Sequence, residues 1–271
     1  MRVLDRGDEL RKELDAARLA GCRVGLVPTM GALHRGHGSL IRTAVAQCDV
    51  TAVTVFVNPL QFGPTEDYGS YPRDLPRDVE VASRAGADLV FAPPVDDMYP
   101  AGPPTVTVHV AGVDTMEGAS RPGHFDGVAT VVAKLLNLSG PCRAYFGEKD
   151  WQQLGVVRGL ATDLSFPVEV VGCATVRESD GLACSSRNAR LSREERTAAT
   201  VLYRALSTGA TAMMAGECDL AVVRQLIVNM VAKEPLAALD YAEALPDRLL
   251  VAARIGSVRL IDNMGVPCAA A

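Results

Sequence analysis

The 271-residue chain is 48% hydrophobic and 22% charged, the balance of an ordinary folded protein with enough apolar material for one large domain or two modest ones. Its formal charge of −5 argues against non-specific nucleic-acid binding, and no apolar run approaches the roughly 18 residues that suggest a membrane span. The start, MRVLDRGDELRKELDAARLAG, is charged and amphipathic rather than signal-like, so a cytoplasmic protein with small-molecule partners is expected, without membrane or nucleic acid.

Seven cysteines (22, 48, 142, 173, 184, 218 and 268) are odd in number, scattered, and form no C-x-x-C pair or cluster with histidine, which predicts free thiols. Residues 5–20 place Leu10, Leu14 and Ala17 on one side of a first amphipathic helix ending at Gly21. A strand is expected over 22–27, ended by Pro28. Next comes a Gly-rich turn holding His34 and His37, in which Gly31, Gly36 and Gly38 let the backbone bend close to a ligand. Leu40, Ile41, Ala44, Val45 and Cys48 then repeat at helical spacing, so a helix is expected to begin near His37. Its first N–H groups lack intrahelical partners and suit an anionic group, with two imidazoles as further donors. On its own, His-x-x-His also reads as a surface turn or an incidental pair, because no Cys or carboxylate nearby completes a metal-ligand set.

Residues 50–57, VTAVTVFV, are apolar and β-branched, as suits a central parallel strand, and Asn58 and Pro59 terminate it. The Pro- and Gly-rich segment 58–78 predicts a long loop. A helix over 77–86, strands over 88–93 and 105–110, a helix over 126–139 and a strand over 142–147 follow. Asp150 and Gln153 match a capping box opening a helix over 150–162, and 168–173 reads as the next strand. This repeated β–α pattern predicts a parallel, doubly wound sheet whose ligand crevice lies at the C-terminal ends of the strands. From about residue 176 the chain turns polar, and helices over 193–215 and 219–233 with short strands at 239–244 and 257–261 predict a smaller α+β domain. The expected division is 1–175 and 176–271.

Three further segments carry chemistry. FGEKDWQQL (146–154) runs from strand to helix with Gly147 allowing close approach and Lys149 suited to charge developing on phosphorus, although Asp150 and Gln153 also read simply as a cap. CSSRN (184–188) offers two hydroxyls and a guanidinium to phosphate oxygens, and reads equally as a surface turn or the start of a helix. VNPLQFG (57–63) and RPGHFDGV (121–128) place amides beside apolar residues, as suits a small hydroxy acid, with His124 read as structural.

His-x-Gly-His directly after a strand and opening a helix resembles the signature of nucleotidylyltransferases and class I aminoacyl-tRNA synthetases. PTMGALHRGH, FVNPLQFG, YPRD, RPGHFDGVATVV, FGEKDWQQL and TVRESDGLACSSRN, in this order, resemble the pantothenate synthetase (pantoate–β-alanine ligase) family of coenzyme A biosynthesis, strongly over residues 22–191. The resemblance implies a Rossmann-like N-terminal domain binding nucleotide and pantoate, a smaller C-terminal lid domain, and usually a homodimer. It implies ATP along Met30, Gly31, Ala32, Leu33, His34, Arg35, Gly36 and His37, along Gly147, Glu148, Lys149 and Asp150, near the backbone of Val176, and along Cys184, Ser185, Ser186 and Arg187. Pantoate is implied between Gln61 and Gln153, with Asn58 in the substrate-binding set. In the implied reaction the pantoate carboxylate attacks the α-phosphorus of ATP, pyrophosphate leaves, and the amine of β-alanine attacks the pantoyl adenylate.

His34, His37, Lys149, Ser185, Ser186 and Arg187 supply donors and positive charge for the first step. The family's Mg²⁺ is expected on phosphate oxygens and water, with Asp78, read as lying in a loop, as the one carboxylate contributor. Two positions depart from the family's usual pattern: Cys184 stands where Met is common, and Arg77 where a second acidic residue often precedes Asp78. Competing readings are a nucleotidylyltransferase that adenylates a phosphorylated acceptor, and a non-catalytic ATP-sensing or tRNA-binding module, the last opposed by the negative charge.

Overall fold

The structure is a computed structural model that describes residues 1–64 and 66–266; Cys268 lies outside the described residues. The chain divides into two compact units, Met1–Ala174 and Thr175–Ala271.

The first unit contains β1 (Arg2–Leu4), α1 (Gly7–Leu19), β2 (Val24–Thr29), α2 (Arg35–Gln47), β3 (Val50–Val55), α3 (Leu75–Arg84), β4 (Leu89–Phe91), α4 (Val95–Met98), α5 (Met116–Ser120), α6 (His124–Ser139), β5 (Cys142–Gly147), α7 (Trp151–Asp163) and β6 (Val168–Cys173). All six strands pair in parallel, in the order β1-β4-β3-β2-β5-β6. The alternation of side chains along each strand feeds two cores. Leu26, Ala52, Ala144 and Phe146 face one core with Leu10 and Leu14 of α1, Val128, Val132 and Leu136 of α6, and Leu154 and Val157 of α7. Val27, Val53, Val90 and Tyr145 face the other, with Leu40, Ile41 and Ala44 of α2 and Ala82 of α3. The sheet is therefore doubly wound. From β2 the chain builds outward through β3 and β4 on one side, and β5 and β6 build on the other, so the order reverses between β2 and β5. In such sheets that reversal opens a crevice at the strands' C-terminal ends.

Several elements differ from expectation. Pro28 does not end β2: Pro28 and Thr29 pair with Thr54 and Val55, whereas pairing to β5 involves only Gly25 and Leu26. The proline's missing N–H thus falls where the strand has one neighbour, the place a sheet tolerates it. The three-residue edge strand β1 is too short to leave a periodic signal. Residues 105–110 alternate like a strand but form none. Two of their N–H groups are taken by side chains of α6 in place of a neighbouring strand, Val108 donating to Thr130 Oγ1 (2.9 Å) and Val110 to Asp126 Oδ1 (2.8 Å). The loop expected over 58–78 contains a single helical turn, Pro59–Gln61, and α3 begins inside it at Leu75, with Asp74 accepting from the Arg77 N–H and Pro76 in the first turn where proline is tolerated.

The second unit contains α8 (Arg193–Ala198), α9 (Val201–Met214), α10 (Leu220–Val231), β7 (Ala237–Ala244), β8 (Arg248–Ile255) and β9 (Val258–Gly265), the strands forming an antiparallel sheet β7-β8-β9. The single helix expected over 193–215 is two, because Thr200 and Leu202 donate to carbonyls three residues back and the Thr200 hydroxyl bonds Thr197 O. The middle strand β8 escapes the sequence reading: its LLVAA run has no alternation, since Leu249, Leu250, Val251, Ala252 and Ala253 are all buried.

Candidate active site

The turn from β2 into α2 is built by buried polar groups brought from far along the chain. Thr29 donates its hydroxyl to Thr54 O (2.5 Å) and accepts from the Gly31 N–H (3.1 Å). Gly31 takes a left-handed φ of 84°, and a Cβ there would meet Asp78 Oδ2 at 2.8 Å, so glycine is required. Asp78 lies in the first turn of α3, not in a loop, and is 1% exposed; its carboxylate accepts from the N–H groups of Ala32 (3.0 Å) and Leu33 (2.6 Å). Burial pushes this carboxyl up, against the opposing pull of those two N–H groups. Asp78 is a brace for the Met30–Leu33 loop, with both oxygens engaged.

Helix α2 begins at Arg35, two residues before the expected start, with His34 as its N-cap. The two histidines form a reciprocal cap: Gly36 N–H donates to His34 Nδ1 (3.1 Å) and His34 N–H to His37 Nδ1 (3.3 Å). The Gly36 N–H expected to meet an anion is thus already capped. Because each Nδ1 accepts, the neutral form of each ring carries its proton on Nε2, and the rings lie with centroids 4.0 Å apart, tilted by 33°. His37 is held well below the usual imidazole range by burial, then by His34 and by the Lys149 ammonium. His37 is therefore a neutral donor at neutral pH, with Lys149 close enough to act on it.

Gly147 ends β5 and Glu148–Asp150 form one helical turn leading into α7. Lys149 is largely buried, with its Nζ 3.6 Å from Asp150 Oδ1. The expected Asp150–Gln153 capping box is not formed: Asp150 makes no side-chain cap. Its neighbour Gln152 instead accepts from the Glu117 N–H and donates to Thr115 O, both at 3.0 Å, and the Gln153 side chain makes no hydrogen bond among the described residues.

After β3, the turn Pro59–Gln61 is anchored on α6. The Gln61 carbonyl accepts from His124 Nδ1 (2.9 Å) and from Arg121 (3.3 Å), whose guanidinium also pairs with Glu66 and donates to His124 Nε2. His124 is pushed down to about 4 by burial and then by Arg121, so it is neutral and structural. Asn58 is 1% exposed and fully paired: Oδ1 accepts from Tyr99 OH (2.8 Å) and Leu60 N–H (3.3 Å), while Nδ2 donates to Gln61 Oε1 and Gly127 O, both at 3.1 Å. Asn58, expected among the substrate contacts, has no valence left for a ligand. Gln61 Nε2 donates to Met30 Sδ (3.1 Å), joining this turn to the histidine loop.

In the second unit, the segment from Val176 to Arg187 is a closed loop. Cys184 N–H donates to Val176 O (2.9 Å), Arg177 bridges to Ala183, and Ser185 Oγ accepts from the Arg187 N–H (3.2 Å) in opening the turn Ser186–Arg190. Arg177 ties this loop to β9 through a bidentate pair with Asp262 (2.6 and 3.0 Å). The Cys184 thiol is buried and donates to Glu178 Oε1 (3.2 Å). Tyr99, Arg121 and Glu66 were not singled out as site residues from the sequence; only Arg121 stood in a highlighted segment, and nothing local marks the other two.

A parallel doubly wound sheet with a His-x-Gly-His turn and a lysine at its order reversal defines an α/β nucleotide-binding protein. The sequence model of the Pantoate-beta-alanine ligase family matches residues 2–265. The chain belongs to that family. A relative in Deinococcus radiodurans named pantothenate synthetase is 55% identical over 262 residues, 89% of this chain and 93% of that protein. The crystal structure of pantothenate synthetase from Thermus thermophilus superposes with a TM-score of 0.91 at 48% identity, covering 97% of this chain and 99% of the other. That of pantoate-beta-alanine ligase from Francisella tularensis, complexed with beta-gamma ATP and beta-alanine, gives 0.84 at 34% identity, over 98% and 97%.

Proposed function

We propose that the chain is an ATP-dependent ligase that condenses pantoate with β-alanine to pantothenate through a pantoyl adenylate, releasing AMP and pyrophosphate. The observation that carries this reading is the pair of close, mutually capping imidazoles at the start of α2, His37 among them held neutral, with Lys149 beside His37 and the Gln61 amide on Met30 of the same loop. Family membership and the ATP and β-alanine held by the Francisella relative support it.

In the first step a pantoate carboxylate oxygen attacks the α-phosphorus and pyrophosphate leaves. Negative charge gathers on the phosphoryl oxygens, where Nε2–H of His34 and His37 and the Lys149 ammonium donate; Ser185, Ser186 and Arg187 supply donors to the phosphates. Gln61 and Gln153 hold pantoate, and Gln153 has the free amide this needs. In the second step the β-alanine nitrogen attacks the carbonyl carbon of the anhydride, AMP departs, and the ammonium formed gives up a proton. The second unit acts as the lid domain, and Val176 and Cys184 contribute backbone to the nucleotide site.

The residues present do not build a magnesium cage: no group of three His, Cys, Asp or Glu suits a metal among the described residues, and Asp78 is spent on the loop. In this reading Mg²⁺ travels with the phosphates and water, and no step depends on a protein ligand to it. The reading includes a cytoplasmic homodimer, testable by light scattering; no helix among the described residues is long and apolar enough to cross a membrane. Incubation with ATP, pantoate and β-alanine should yield AMP, pyrophosphate and pantothenate. ADP as product, or turnover only with a phosphorylated acceptor in place of pantoate, overturns it.

A further inference from the structure

Amide side chains are ambiguous recognition groups, because a 180° flip exchanges a donor for an acceptor. In this site the ambiguity is removed by a chain of hydrogen bonds that ends on one buried phenol, 38 residues beyond Gln61. Tyr99 is 4% exposed, its ring packed against Phe56 and beneath the Lys134 ammonium. Burial drives its hydroxyl up, so it stays protonated. Its contact at 2.8 Å is with Asn58, whose amide can meet a hydroxyl either way round. The other neighbours of Asn58 choose. Leu60 N–H can only donate and Gly127 O can only accept, so Oδ1 must face Leu60 and Tyr99 while Nδ2 faces Gly127 and Gln61. Nδ2 in turn accepts nothing, so Gln61 must turn Oε1 inward to Asn58 and carry Nε2 toward Met30. Met30 Sδ takes one of the two Nε2 hydrogens, which leaves one N–H for a ligand.

We propose that Tyr99 is a positioning residue for the acid substrate: acting through Asn58, it holds Gln61 with its N–H donor, not its carbonyl, toward the ligand, so that the subsite selects an acceptor oxygen. This rests on the reading that Gln61 touches pantoate. A structural tyrosine would affect every ligand and the stability together. A positioning tyrosine affects the ligand that Gln61 meets and leaves the others alone, at no more than the small stability cost of one hydrogen bond.

The test is a steady-state comparison of the full chain with Tyr99→Phe, Gln61→Ala and the double variant, with unfolding temperatures alongside. Phenylalanine keeps the ring packing and removes one buried hydrogen bond, worth up to about a tenfold change in an equilibrium. Tyr99→Phe should raise the KM for pantoate about fivefold to tenfold, leave the KM for ATP within about twofold, and lower the unfolding temperature by no more than about 4 °C. In the Gln61→Ala background the same substitution should add nothing to the pantoate KM. An unchanged pantoate KM in Tyr99→Phe, a joint rise of pantoate and ATP KM with a large drop in unfolding temperature, or a full-sized effect in the Gln61→Ala background overturns the inference. If Gln61→Ala alone leaves the pantoate KM unchanged, the reading of Gln61 has failed and takes the inference with it; if Gln61→Ala raises it and Tyr99→Phe does not, only the inference fails.

Discussion

At the scale of single residues, the geometry divides groups that face a ligand from groups spent on holding them. On the proposed reading Lys149 belongs to the first class: after burial and His34, its ammonium helps to hold His37 below the usual imidazole range. Lys149→Ala should lower the rate of adenylate formation by about two powers of ten, the scale for losing one strong donor to the transition state, with little change in unfolding temperature. Single-turnover release of pyrophosphate beside a melting curve checks this; a melting shift in proportion to the rate loss would make Lys149 structural. Gln153 separates in the same way. The sequence allowed it to be a capping partner of Asp150, which would cost roughly 1 kcal/mol on removal, but no such bond exists in α7. Gln153→Ala should therefore weaken pantoate more than ATP at no cost in stability, whereas His37→Ala should impair ATP use while pantoate still binds. Calorimetric titration of both ligands into both variants decides; equal losses of both ligands in each would show that the crevice is not divided this way.

At the scale of elements, the site depends on how closely α6 approaches the turn after β3. A Cβ at Gly127 would lie 2.2 Å from Leu60 O and 2.6 Å from Gln61 N, against backbone that cannot swing aside. Gly127→Ala must push α6 and the Pro59–Gln61 turn apart. Overpacking of this kind typically costs about 1–3 kcal/mol, and here it also breaks the bond from Asn58 to Gly127 O. Urea unfolding should show that loss together with weaker pantoate binding; a variant as stable and as active as the parent would refute the close approach. The α3 brace offers a milder test. Asp78→Asn replaces one of two acceptors by a donor facing an N–H, so the Met30–Leu33 loop should loosen, at a cost of about 1–3 kcal/mol for the buried group left unpaired. Faster amide exchange at Ala32 and Leu33 is the expected sign.

At the scale of the whole molecule, a buried histidine and a half-buried one make folding sensitive to acid. His124 has its folded value near 4 and an ordinary value near 6.5, so between those limits the unfolded chain binds a proton that the fold excludes. Its contribution is complete above pH about 6.5 and is lost as pH falls toward 4, amounting to about 2 kcal/mol between pH 7 and 4.5 by linkage; His37, also lowered, adds in the same direction. His124→Asn keeps a donor for Gln61 O and removes the titration, so urea unfolding at the two pH values should show a visibly smaller acid loss than the parent. An equal loss would place the acid sensitivity elsewhere.

The amino-acid order alone determined the alternation of strand and helix, the loops at strand ends and the His-x-Gly-His turn, because side-chain periodicity and Gly and Pro placement are local properties. In α6, Val128, Val131, Val132, Leu135 and Leu136 recur at helical spacing in the sequence and are all buried. Local signals also misled where a side chain replaced a backbone partner, as Thr130 and Asp126 do for residues 105–110. Only the tertiary structure decided that the sheet reverses between β2 and β5, that Asp78 braces a loop 45 residues away, and that Asn58 faces Gln61 rather than a ligand. Those outcomes rest on pairing between distant groups in the absence of water, where each buried donor must find an acceptor, and no window of sequence contains both partners.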